Sequence, residues 1–335
     1  MQDNKREDNE ILVSIRCIAF NQEPYIRYAL DGFVSQKTNF KFVAIVHDDA
    51  STDRTPDIIR EYAERYPDII KPILETENLY SKRDGSLARV MDEACTGKYI
   101  AYCEGDDYWI DPLKLQKQVD FLEAHPDYSM CWTDAFQETK GVKKAYNRYP
   151  ESCQSPTEDI IGRGGDFIPT CSILLRHEVL KAMPKEAKGF YVGDYPLQMW
   201  SAFSGKCYYI KEQTCVYRYA SIGSWTSRAE RETKEQKIKH FQNEKKLLDA
   251  FNKLSNYKFN AVFERRAADI LFWILYSTQE YEMMKPYVLL RRKYGLHIDL
   301  NKAQLMRVYG HPHIARVIDF AYKVRYKLHK IISGK

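Results

Sequence analysis

A chain of 335 residues, 44% of them hydrophobic, can bury a core sufficient for one large domain or two modest ones, and 15 Gly with 13 Pro argue against long disorder. Its eight cysteines include no CxxC pair and several lie in apolar strand-like runs, which argues for reduced, packed thiols and against zinc. No apolar run approaches a membrane span and the start MQDNKREDNE is too polar for a signal peptide, so a cytosolic protein is expected.

The formal net charge of +5 conceals an asymmetry. Residues 1–225 carry 28 Lys and Arg against 35 Asp and Glu, whereas residues 226–335 carry 23 against 11. A basic region of this kind faces nucleic acid, an anionic membrane, or only the water around a helical bundle.

In chain order, ILVSIRCIAF (11–20) reads as a buried strand, and a sharp turn at Asn21–Pro24 leads into apolar positions at helical spacing from Tyr25 to Val34. FKFVAIVHDDAST (40–52) is a second strand running into Asp48 and Asp49, followed by the helix PDIIREYAERYP, its start marked by Thr52, Asp53 and Pro56. IIKPILE (69–75) is a third strand and SLARVMDEACTG a helix closed by Gly97. Tyr99 to Cys103 is a fourth strand, buried on both faces, that ends abruptly in Glu104, Asp106 and Asp107. Right-handed crossovers make these four strands parallel, with Asp48, Asp49, Glu104 and Asp106 along one edge, where open α/β sheets receive ligands.

Three carboxylates within four residues repel one another unless a cation joins them, and hard oxygen ligands suit Mg²⁺ or Mn²⁺. The competing reading is a solvated acidic turn capping a helix that begins near Pro112. Asp48-Asp49-Ala-Ser-Thr-Asp has the same two sides: acceptors for a base or ribose, or an Asx turn with a helix cap. Neither GxGxxG nor GxxxxGK[ST] is present, so phosphates fall to a metal and to basic side chains, with Arg83 and Arg89 as candidates.

Three segments in this order, LVSIRCIAFNQEPYIRYALDGFVSQ, FVAIVHDDASTDRTPDII and LARVMDEACTGKYIAYCEGDDYWIDPLKLQKQVDFLE, resemble the family 2 glycosyltransferases of the GT-A fold over about residues 11–135. The resemblance implies an α/β fold, a mixed sheet flanked by helices. It implies that Phe20, Glu23 and Asp49 sit at the nucleoside, that Arg89 helps hold base or ribose, and that Glu104 and Asp106 occupy the DxD positions as metal ligands. Glu104 stands where the family has Asp, which makes Asp106 the safer ligand.

Beyond Met130, YSMCWTDAF is another strand, then a polar insertion without periodicity runs to about Gly165, and FIPTCSILLRHEVL is a strand entering a helix. Pro196, Leu197, Met199, Trp200 and Phe203 mark a helix opened by Asp194. Asp194 reads as an N-cap. The family offers the other role, since an acidic residue at this place is the base that deprotonates the acceptor hydroxyl; Gly193-Asp194 replaces the usual ED pair. CYYIKEQTCVYRYASIGSWTSR (207–228) reads as two strands and a loop, similar to the family's YRxhxxGSWS segment, which puts Arg218 and Trp225 at the acceptor or diphosphate pocket; Thr170 is expected at the same pocket. Ala220 stands where relatives often have His.

The last hundred residues read as helices, ending in IARVIDFAYKVRYKLHKII, a basic amphipathic helix that suits either an anionic leaflet or packing on its own domain. The expected organisation is a polar tail (1–10), a GT-A catalytic domain (11–228) with a nucleotide-sugar part (11–135) and an acceptor part (136–228), and a basic helical C-terminal extension (229–335). The expected activity is metal-dependent, inverting sugar transfer from a nucleotide-diphosphate donor, a UDP-sugar, to a glycan or lipid-linked glycan in bacterial surface polysaccharide synthesis. It takes place in the cytoplasm or peripherally on the inner face of the membrane, with no nucleic-acid partner. A sugar nucleotidyltransferase would need a Gly-rich basic phosphate loop near the first strand, which AFNQEPY lacks; a catalytically silent binding protein fits poorly with Asp49, Asp106 and Asp194 all kept.

Overall fold

The computed structural model describes residues 10–190, 193–221, 227, 232–293 and 300–333. The chain divides into two compact units at residues 231/232. The first opens with a regular alternation of strand and helix: β1 (Ile11–Ala19), α1 (Ile26–Val34), β2 (Lys41–Asp48), α2 (Thr55–Arg65), β3 (Ile70–Leu74), the short α3 (Leu79–Lys82), α4 (Ser86–Ala94) and β4 (Tyr99–Tyr102). β1 pairs in parallel with β2 and β4, and β2 with β3, as the crossover argument requires. In this register Ala19 lies opposite Asp48, and Asp48 opposite Leu74, so the strands end together on one edge.

After β4 come β5 (Tyr108–Trp109), α5 (Lys114–Ala124), β6 (Tyr128–Thr139), β7 (Val142–Ala145), β8 (Cys153–Ser155), α6 (Thr157–Arg163), β9 (Ile173–Arg176), α7 (His177–Lys181), α8 (Asp194–Ser204) and β10 (Lys206–Arg218). The described strands form one sheet in the order β3-β2-β1-β4-β9-β6-β10-β5, with β7 on β6 and β8 on β10. β9 runs antiparallel to both β4 and β6, which restores β6 and β10 to the direction of β4.

Two expectations are corrected here. The stretch read as an aperiodic insertion holds β7, β8 and α6; its two strands have only four and three residues, too few to print a period, and gain their order by pairing with β6 and β10. The 207–228 segment, read as two strands, begins instead as one 13-residue strand whose register against β6 shifts at Ile210/Gln213 and Gln213/Cys215. A bulge keeps a strand continuous where charge and polarity break its alternation.

The sheet has a core on each face. Val13, Ile15, Cys17 and Ala19 of β1 pack with Ile26, Leu30 and Phe33 of α1 and Leu115, Val119 and Leu122 of α5. On the other face Val43, Ile45, Ile100, Met130, Trp132 and Leu175 meet Met91, Phe167 and Leu197. Each of these large side chains contributes about 1.5–3 kcal/mol by leaving water. All eight cysteines are free thiols, seven of them buried.

The second unit is helical among the described residues. α9 (Lys234–Leu254) starts at a capping box of Thr233 and Gln236, and α10 (Asn260–Ser277) follows. α10 ends at Ser277; a one-turn helix (Tyr281–Met283) and α11 (Lys285–Lys293) come next, then α12 (Lys302–Val308) and α13 (Pro312–Ser333). Phe272, Leu275, Met284, Val288 and Val308 form its core. No helix among the described residues is long and apolar enough to cross a membrane.

Candidate active site

The loops that follow β1 and β2 are laced together. Asn21 donates its N–H to Ser51 Oγ (2.8 Å), Gln22 to Thr55 Oγ1 (2.8 Å) and Glu23 to Asp53 Oδ2 (3.0 Å). In return, Thr52 N–H bonds Asn21 Oδ1 (2.8 Å) and Arg54 N–H bonds Glu23 Oε2 (3.2 Å). Asp48 closes an Asx turn on Ser51, accepting from its N–H at 3.0 Å and its hydroxyl at 2.5 Å. Asp49, buried, accepts the N–H groups of Leu79 (2.7 Å) and Tyr80 (3.0 Å) and so fixes the loop after β3. Phe20 stands 46% exposed at the end of β1, and Arg89 on α4 is exposed, with Nη1 on the Asp84 carbonyl (2.9 Å).

β4 delivers its carboxylates to the same edge because its loop continues along β1: Cys103 N–H bonds the Arg16 carbonyl (3.2 Å) and Gly105 N–H the Ile18 carbonyl (3.0 Å). Gly105 is required by crowding, since a Cβ there would lie 2.2 Å from Gln22 Oε1 and 2.9 Å from Ile26 Cδ1. Glu104 reaches solvent, yet the protein packed around it, followed by the charges of Asp106 and Asp194, pushes its carboxyl up to about 8. Asp106 accepts Ser221 Oγ at 2.6 Å; burial raises its carboxyl while Ser221 and Arg218 act the other way. Asp107 is buried, takes the Arg218 N–H on Oδ1 (2.8 Å), and is raised well above the usual range by burial and then by Asp106.

From the other side of the sheet, α8 brings Asp194 to this group. Gly193 is the N-cap and has no side chain to cap with, and Asp194 opens the helix, its Oδ1 accepting the first-turn N–H of Tyr195 (2.8 Å), so the Asp194 side chain satisfies one of the helix's free donors. The loop 164–169 packs on it: a Cβ on Gly165 would meet Tyr195 Cβ at 2.9 Å and Asp194 Oδ1 at 3.6 Å. Gln198 Nε2 holds the Gly165 and Ile168 carbonyls, both at 3.0 Å.

Arg218 serves architecture here. Its guanidinium lies 4.3 Å from the Tyr108 ring centroid and 4.7 Å from that of Tyr28, donates to the Asp106 carbonyl at 2.6 Å, and has Glu138 within 3.7 Å. Thr170 opens a one-turn 3₁₀ helix, Thr170–Ser172. Trp225 lies outside the described residues. Sequence reasoning brought Glu104, Asp106 and Asp194 to one place but missed Ser221, Tyr146, Tyr217 and Arg148. The two tyrosines neighbour the carboxylates electrostatically; Tyr217 and Ser221 lie inside the YRxhxxGSWS-like segment, from which the sequence reading takes Arg218 and Trp225, while no motif announces Tyr146 or Arg148.

Glu104 and Asp106 offer oxygen donors whose mutual repulsion a divalent cation would relieve, a donor set that fits Mg²⁺ or Mn²⁺ sharing ligands with a phosphate. Among the described residues no group of three or more His, Cys, Asp or Glu is arranged to hold an ion alone.

A mixed sheet with ligand-facing carboxylates at its strand ends is the GT-A arrangement, and the chain superposes on residues 1–349 of Staphylococcus aureus TarS, solved with UDP-GlcNAc. The TM-score is 0.54 over 93% of this chain and 92% of that one, at 13% identity. The family model for glycosyl transferase family 2 matches residues 14–183, half of the chain, and the chain belongs to that family. An uncharacterized protein of Mycobacterium tuberculosis is 37% identical over 225 residues, 64% of this chain and 61% of its own length. The chain thus aligns with about three-fifths of that relative. The Escherichia coli UDP-Glc:alpha-D-GlcNAc-diphosphoundecaprenol beta-1,3-glucosyltransferase WfaP is 32% identical over 113 residues, 34% of this chain and 42% of that protein.

Proposed function

We propose that the protein transfers a sugar from a nucleotide-diphosphate donor, a UDP-sugar, to a hydroxyl of a glycan or lipid-linked glycan, with inversion, in the cytoplasm during bacterial surface polysaccharide synthesis. The observation that carries this reading is the convergence of Glu104 and Asp106 from β4 with Asp194 from α8, close enough that Asp106 and Asp194 both act on the Glu104 carboxyl.

Asp194 accepts the proton of the attacking acceptor hydroxyl, a role supported by its place within electrostatic reach of Glu104. Its single displacement inverts the anomeric centre, because no second carboxylate is needed as a covalent nucleophile. Glu104 and Asp106 would hold Mg²⁺ or Mn²⁺, which when bound supplies positive charge against the departing nucleoside diphosphate. Asp49 keeps the loop behind the nucleoside in place through Leu79 and Tyr80, Phe20 presents an open ring to the base, Glu23 ties the two loops beneath it, and Arg89 reaches base or ribose. Thr170 and Trp225 belong to the acceptor or diphosphate pocket, and Arg218 holds the Asp106 loop that forms its wall.

The second unit docks on the anionic inner face of the membrane. Ile314, Val317 and Phe320 on α13 are 51%, 68% and 70% exposed, and the same helix carries Arg316, Lys323, Arg325, Lys327 and Lys330. Apolar side chains open to water amid basic residues complement an acidic lipid surface.

The test is a panel of nucleotide sugars with glycan and lipid-linked acceptors, read by nucleotide release and by the anomeric configuration of the product in NMR. One donor class with an inverted product is expected; a retained configuration, or no release from any donor, overturns the proposal.

A further inference from the structure

On the acceptor side of the carboxylates lies an arginine that the chemistry above does not use. Arg148 follows β7, where Tyr146 N–H bonds the Ala135 carbonyl of β6 (3.0 Å), and its guanidinium lies 4.1 Å from the Tyr146 ring centroid. Tyr146 is an electrostatic neighbour of Asp107. Arg148 Nη2 donates to the Asp166 carbonyl at 2.7 Å, one residue beyond the Gly165 that packs on Asp194. Through Tyr146 on one side and the Gly165–Asp166 turn on the other, Arg148 thus neighbours the Asp107 loop and the proposed base.

Among the described residues no carboxylate comes within ion-pair distance of Arg148, and its buried Nε–H has no hydrogen-bond partner. A second cation stands near it: the guanidinium groups of Arg148 and Arg163 lie 5.7 Å and 4.8 Å from the Phe167 ring centroid, and Arg163 has Asp159 at 3.3 Å. Half-burial disfavours the Arg148 cation and the charge of Arg163 adds to this, while Tyr146, Asp166 and Asp134 offset part of it, so an anion at the unpartnered Nε–H would stabilise the guanidinium further. The sheet order decides which ligand brings that anion. The nucleoside edge is at β2 and β1, the carboxylates follow β4, and β6 with Arg148 lies on the far side of β4 from β2.

We infer that Arg148, assisted by Arg163, seats a phosphate group of the acceptor next to the sugar whose hydroxyl meets Asp194, so that the acceptor class is a phosphate- or diphosphate-linked glycan. This rests on the sugar-transfer reading. A planar guanidinium pairs two donors with a phosphate, which positions as well as attracts it.

The experiment measures binding to the full chain by calorimetry, without turnover, using two probes: UDP with Mn²⁺, and, on the UDP-saturated protein, a short alkyl diphosphate with a neutral alkyl glucoside as control. Wild type binds the alkyl diphosphate in preference to the glucoside. In Arg148→Gln that affinity falls by roughly ten- to a hundredfold, the loss of one charge-assisted contact, while UDP affinity stays within about twofold. Arg148→Lys, which keeps the charge and guards against a folding defect, falls between them, and Arg163→Gln loses less than Arg148→Gln. Alkyl diphosphate binding unchanged in both Arg148 variants, or absent from wild type, overturns the inference, as does an equal loss of UDP affinity, which would assign Arg148 to the donor. Failure of the sugar-transfer reading would show separately, as wild type that binds no nucleotide with Mn²⁺.

Discussion

Replacing Asp194 by Asn isolates a proton acceptor from everything else that side chain does. Asn keeps the size and an oxygen for the Tyr195 N–H, so the first-turn hydrogen bond is retained. Turnover should fall by about 10² to 10⁴ with donor affinity nearly unchanged; steady-state kinetics beside a nucleotide titration reads both, and a melting shift without a rate defect would leave Asp194 a structural residue. Glu104 makes a prediction in pH. Its carboxyl is raised from 4.5 to about 8, so the metal-free fold keeps a proton that the unfolded chain releases, and the stability linked to it is present at acid pH and lost as pH rises from about 4.5 through 8. Melting temperatures of metal-free wild type should fall relative to Glu104→Gln across that window; the opposite slope would mean Glu104 is paired with a cation. Gly105→Ala, with its Cβ 2.9 Å from Ile26 Cδ1, should cost about 1–3 kcal/mol by overpacking and displace the carboxylates, raising the donor KM.

At the scale of elements, the four parallel strands and their helices were legible because each strand is mostly apolar and bounded by turn residues, and the shared edge of Asp49, Glu104 and Asp106 follows from strand direction alone. β7 and β8 were not, since Val142–Ala145 and Cys153–Ser155 are too short and polar to reveal a period and exist by pairing. Roles within the edge were only half legible: DDASTD was open between ligand acceptor and turn, and in the fold Asp48 makes the turn while Asp49 orders the next loop. α13 carries the prediction at this scale. A double change, Val317→Glu with Phe320→Glu, touches side chains 68% and 70% exposed and spares the buried Ala315, so the fold should melt unchanged. Co-sedimentation should show wild type on anionic vesicles, less at high salt and little on neutral ones, and the variant on neither. A variant that melts several degrees lower would show that this face packs within the protein.

For the whole molecule, the charge asymmetry and the carboxylate cluster belong to different units. The acidic one, residues 1–231, gathers Glu104, Asp106 and Asp194, whose repulsion a proton on Glu104 or, in the proposed reaction, a cation would relieve; the basic one presents α13. Three carboxylates kept together against their own repulsion, two of them on a loop that Gly105 threads through a tight gap, are the reason to place sugar transfer here. The measurement that bears on this most directly is nucleotide release from the preferred donor by metal-stripped wild type and Asp106→Ala, with Mn²⁺ added stepwise. Wild type should be inactive in EDTA and recover with Mn²⁺, while Asp106→Ala keeps its melting temperature and stays inactive at every concentration; turnover by wild type undiminished in EDTA would contradict the account.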